Sequence, residues 1–90
     1  MIVTSNQLRL KLDKAFSPQH LEVTDDSHLH QGHAGAPLGG GSHFTITIVA
    51  EAFNGLSRVE RHRLVYGLFD QEFSEGLHAL KIIAKTPDEV

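Results

Sequence analysis

Histidine is the residue type in this chain best suited to chemistry: there are seven in 90 residues, and His28, His30, His33 and His43 fall in one stretch. Neutral imidazole ligates zinc, copper, nickel and iron, so the spacing His28-x-His30-x-x-His33 gathers candidate metal ligands. The same residues have a second reading, because an exposed loop also carries histidines for solvation. His78 stands between Leu77 and Ala79, where a lone imidazole in an apolar run is either a half-buried residue satisfied by its surroundings or a ligand. His62 falls in an apolar arc with Val59, Tyr66 and Phe69 and reads as a core residue or one that fixes nearby geometry. No cysteine is present, so the chain has no disulfide, thiol nucleophile or thiolate ligand of its own.

The cations form a second group. Arg58, Arg61 and Arg63 lie on other faces of the segment that carries His62, either as a solvated surface or to recognise a partner carboxylate or phosphate. With Lys81 and Lys85 they also offer a helix-turn-helix mode of meeting DNA phosphates. A formal net charge of −3 implies that such binding is modest and strongly salt-sensitive. No Gly-x-Ser-x-Gly elbow, phosphate loop or paired carboxylate site occurs, so the chain reads as a binding protein and not an enzyme.

The elements that position these groups follow from spacing. Thr4 and Gln7 suit a capping box ahead of a helix whose stripe is Leu8, Leu12, Ala15 and Phe16, with Arg9, Lys11 and Lys14 facing water and Ser17-Pro18 ending it. Leu21 and Val23 alternate with polar residues in a short strand. Residues 26–42 hold five glycines and Pro37 without hydrophobic periodicity, a long loop of the kind that is functional or disordered. His43 to Ala50 alternates as a strand, with Phe44, Ile46 and Ile48 on one face.

Asn54-Gly55 then marks a turn, and Ser57 with Glu60 forms a capping box that starts a helix. Val59, His62, Tyr66, Phe69 and Phe73 recur at steps of three and four, predicting the core-facing side of two helices, or one kinked helix, that meet near Gly67 and end at Gly76. Leu80, Ile82 and Ala84 alternate with Lys81, Ile83 and Lys85 in a last strand whose outer face is basic. Thr86-Pro87-Asp88-Glu89 is a helix start with only a stub to follow.

The predicted order is αββααβ, an α+β fold with its helices packed on one face of a three-stranded mixed sheet. Ninety residues make one domain, 1–90, that buries only about 60–65% of its unfolded surface, with 1–4 and 88–90 expected to fray. No apolar run approaches the roughly 20 residues of a membrane span, so the expected setting is cytoplasmic, away from membranes.

An aromatic-x-Gly-Leu-Ser turn (Phe53 to Ser57) leads into Arg61-His62-Arg63-x-Val65-Tyr66, and Gly76-Leu77-His78-Ala79-Leu80 and Lys85-Thr86-Pro87 follow. In this order the motifs resemble the BolA family, from about Leu8 to Pro87. The resemblance implies the same element order, similar to the type II KH fold. Gly32-His33-Ala34-Gly35 has the Gly-x-x-Gly spacing of a KH clamp but lies between strands, whereas that fold places the clamp between the central helices, near Gly67.

The resemblance further implies a 2Fe-2S cluster shared with a monothiol glutaredoxin and its glutathione, in iron-sulfur cluster trafficking or iron sensing. His78 would be one ligand and a loop histidine the other. The Gly32-His33-Ala34-Gly35 context assigns His33, with His28, His30 and His43 as rivals. Histidines on one iron and thiolates on the other is established 2Fe-2S chemistry. The isolated chain is expected to hold no cofactor and to be a monomer or weak dimer. Some proteins of this family are described as DNA-binding regulators of stress response and cell shape, which is the alternative reading.

Overall fold

A computed structural model of the protein describes residues 3–26 and 42–90. Helix α1, Ser5–Phe16, starts where the Thr4 hydroxyl accepts the Gln7 N–H at 3.2 Å, satisfying one of the unpaired donors of the first turn. It ends at Ser17, which takes the left-handed conformation at φ 45° and donates its N–H to Asp13 at 3.0 Å. Leu8 and Leu12, one turn apart, are fully buried.

Three strands form one sheet in the order β1-β2-β3: β1 is His20–Asp25, β2 is His43–Val49 and β3 is Ala79–Lys85. Strands β1 and β2 are antiparallel with Val23 opposite Ile46, while β2 and β3 are parallel with Ile46 opposite Ile82. The period of two turns Phe44, Ile46, Ile48, Leu80 and Ile82 toward one side, where they join Leu8, Leu12, Val65 and Phe69 in the core. Helices therefore cover one face of a mixed sheet, in the predicted order.

A parallel pair needs a crossover, and residues 50–78 supply it. Gly55 at φ 79° makes the turn after the 3₁₀ segment Glu51–Phe53. Helix α2, Arg58–Gly67, opens with the expected capping box, Ser57 N–H to Glu60 Oε1 at 2.9 Å and Glu60 N–H to Ser57 Oγ at 3.1 Å. Helix α3, Asp70–Ser74, follows the break at Gly67, and Gly76 at φ 127° turns the chain into β3.

Several expectations are corrected. The inward line of α2 runs through Arg61 and Val65 and passes on to Leu68 and Phe69; Val59 and Tyr66 are 58% and 38% exposed and His62 is half-buried outside the core. The predicted stripe carried one helical phase across the break after Gly67, and so placed Arg61 on another face of the helix. Ala15 is exposed, and Lys11, half-buried, turns its ammonium to α3, 2.8 Å from the fully buried Glu72 carboxylate. At the described ends Val3 is buried, and Glu89 is held by Arg61 and by the Thr86 N–H.

Candidate functional site

Strands β2 and β3 run parallel and in register, with His43 opposite Ala79, so both begin at the same edge of the sheet. There the Ser42 carbonyl accepts two N–H groups, from His78 at 2.7 Å and Ala79 at 3.0 Å, which fixes the residue before β3 against the residue before β2. This brings the rings of His43 and His78 together, with centroids 5.5 Å apart and planes inclined by 19°. His78 is exposed and His43 half-buried, and the Ser42 hydroxyl lies 2.8 Å from His43 Nδ1, a bond that orients the ring. Ser42 itself is buried.

The fold thus joins two of the predicted residues, His43 and His78, that lie 35 positions apart in the chain. His28, His30 and His33 lie outside the described residues. Ser42 was not singled out from the sequence, and a lone serine before a strand gives no signal that could have found it. Among the described residues no group of three or more metal-binding side chains occurs. Two imidazoles suit one edge of a shared centre, with the remaining ligands coming from elsewhere.

The other predicted residues form a second region. His62 and Arg58 line a groove of about 590 Å³ between α2 and β3, and a second depression of about 380 Å³ on α2 against Val59, Arg63 and Tyr66. Arg58, Arg63, Lys81 and Lys85 are exposed. Arg61 is different: its side chain is 13% exposed, donates Nε to the Leu56 carbonyl at 3.0 Å and Nη1 to the Ala84 carbonyl at 3.1 Å, and meets Glu89 at 2.6 Å. The Arg61 bond and the Thr86 N–H hold the Glu89 carboxyl down at about 2. Tyr66 donates its hydroxyl to the Leu80 carbonyl at 2.9 Å, so side chains of α2 cap the free edge of β3 at two points.

Fold and site together define a small α+β domain that presents a histidine pair at one end of a mixed sheet and a basic groove beside its edge strand. The family model described as BolA-like protein matches residues 12–89. SufE-like protein 1, chloroplastic/mitochondrial, of Arabidopsis thaliana is 50% identical over 88 residues, covering 93% of this chain and 24% of that protein. Protein BOLA1, chloroplastic, of the same plant is 44% identical over 87 residues, 94% of this chain and 54% of that protein. The chain therefore spans between a quarter and about half of these relatives' lengths. The solved BolA domain of SufE1 from Arabidopsis thaliana superposes with a TM-score of 0.87 at 49% identity, covering 96% of this chain and 94% of that one. The chain belongs to the BolA family.

Among the described residues no helix is long and apolar enough to cross a membrane.

Proposed function

We propose that this chain is an adaptor that shares a 2Fe-2S cluster with a monothiol glutaredoxin and glutathione, in iron-sulfur cluster trafficking or iron sensing. The observation that carries the reading is the exposed His78 ring stacked beside His43 where β2 and β3 begin. A ligand shared between two proteins must reach the surface, and the backbone bonds to Ser42 set the position of His78 before any partner arrives. His78 and a second histidine of this chain would hold one iron of such a cluster, and the glutaredoxin and its glutathione would supply thiolates to the other. His33 would be that second histidine, as the family resemblance implies. His43 is the rival that geometry brings forward, because its ring already adjoins that of His78.

DNA binding is the weaker reading. Of its five named cations, Arg61 is bound to two main-chain carbonyls and Glu89, which leaves four on a chain of net charge −3.

The test is anaerobic reconstitution of the chain with a monothiol glutaredoxin, glutathione, iron and sulfide, followed by visible circular dichroism. The wild type is expected to change the spectrum of the glutaredoxin cluster, and His78→Ala to restore the glutaredoxin-only spectrum. His33→Ala restores it if His33 is the second ligand; a change confined to His43→Ala moves that place to His43. A wild type that leaves the glutaredoxin spectrum unchanged overturns the shared-cluster reading.

A further inference from the structure

The histidine pair leaves the side of β3 beside α2 without a role, and that side carries an unusual surface. Five of the chain's eight lysines and arginines are on α2 or β3, although the net charge is −3. Arg58, Lys81 and Lys85 make no ion pair among the described residues. Between these cations lie apolar side chains exposed to water: Val59 at 58%, Tyr66 at 38% and Ile83 at 37%. The two depressions adjoin, since Arg58 and His62 line both.

We propose that the groove formed by Arg58, Val59, His62, Tyr66, Ile83 and Lys85 docks a short acidic peptide segment of a partner protein, with a bulky apolar side chain seated between its carboxylates. Charge complementarity selects the acidic residues, and the exposed apolar wall selects the anchor. The chain itself shows the carboxylate part of this recognition, since Glu89 reaches into the groove and meets Arg61 at 2.6 Å. Arg58 and Lys85 line the same groove and are available for further carboxylates.

A peptide suits this surface better than a nucleic acid. A duplex spans many charges and meets the net negative chain as a whole, whereas a short segment feels the local cations within a Debye length of about 8–10 Å. Phosphate contacts also make no use of Val59 and Ile83. Main-chain addition to β3 is disfavoured because Tyr66 and Arg61 already take the Leu80 and Ala84 carbonyls, so side chains carry the recognition. The docking is independent of any cluster and stands or falls without it.

The probe is a labelled peptide, Asp-Glu-Leu-Phe-Glu-Asp, titrated into the full chain at about 0.1 M salt and followed by amide and methyl NMR shifts. Shifts should centre on Val59, His62, Tyr66 and Ile83 and spare His43 and His78. Arg58→Glu and Lys85→Glu should each weaken binding about tenfold, and Val59→Ser several-fold, with unchanged circular dichroism showing that each variant is folded. A control peptide with Leu-Phe replaced by Ser-Ser should bind about tenfold more weakly. Equal binding of that control reduces the effect to general electrostatics and overturns the proposal. So does the absence of shifts at these residues, and so does a DNA duplex of about 12 base pairs that binds them more tightly than the peptide.

Discussion

At the scale of single residues, the site separates side chains that hold the fold from side chains that are held by it. His78 contributes its backbone N–H to the Ser42 carbonyl, but its side chain is exposed, so His78→Ala should change stability by less than about 0.5 kcal/mol while restoring the glutaredoxin-only cluster spectrum. Thermal unfolding of the isolated chain beside the reconstitution spectrum separates the two effects. Ser42→Ala should behave in the opposite way. It leaves both imidazoles in place, removes the 2.8 Å contact to His43 Nδ1 from a buried position, and should cost about 1 kcal/mol in urea unfolding. The histidines were legible because imidazole chemistry is carried by residue type. Their pairing was not, since it depends on β2 and β3 being parallel neighbours in register, which neither strand's own sequence encodes.

At the scale of elements, the capping box at Ser57, the apolar alternation of β2 and the break at Gly67 could all be read locally, because each depends on residues a few positions apart. The contacts between elements could not. Lys11 and Glu72 stand 61 residues apart in the chain, and nothing near either one announces a buried carboxylate bonded by Lys11 at 2.8 Å and Gln7 Nε2 at 2.7 Å. This clamp fastens α1 to α3. Lys11→Met strands a buried charge and should destabilise the domain by about 3 kcal/mol, whereas Lys11→Met with Glu72→Leu should recover most of that loss. A double-mutant cycle by urea unfolding measures the difference, and additive costs would show that the two residues do not act as a pair. Arg61 ties α2 to β3 in a comparable way. Arg61→Ala frees the Leu56 and Ala84 carbonyls and releases Glu89, so it should cost roughly 2 kcal/mol and expose the amides of Pro87–Glu89's neighbourhood to faster hydrogen exchange.

At the scale of the whole molecule, the histidine pair adjoins the start of β3, and the basic surface runs along that strand, from Tyr66 at the Leu80 carbonyl to Arg61 at the Ala84 carbonyl. A partner on either surface would meet the domain along this one strand. Its electrostatics also determine how it responds to acid. Burial pushes the Glu72 carboxyl up, but the bonds from Lys11 and Gln7 together outweigh burial and hold it below the usual carboxylate range. The Ser57 N–H and hydroxyl lower Glu60, and Glu89 sits at about 2. All three carboxyls are thus more acidic in the folded chain than in the unfolded one. Their contribution is fully present above the unfolded value, near 4.5, and is lost as pH falls through the folded values. Stability should therefore hold near neutrality and fall from about pH 5 toward pH 3. Glu72→Gln removes one of these groups while keeping its shape, so it should be less stable than wild type at pH 7 and approach it as pH drops. Urea unfolding of both proteins at pH 7, 5 and about 3.5 tests this. A gap between them that stays constant over that range would mean that the shape of the Glu72 side chain, and not its charge, closes the clamp between α1 and α3.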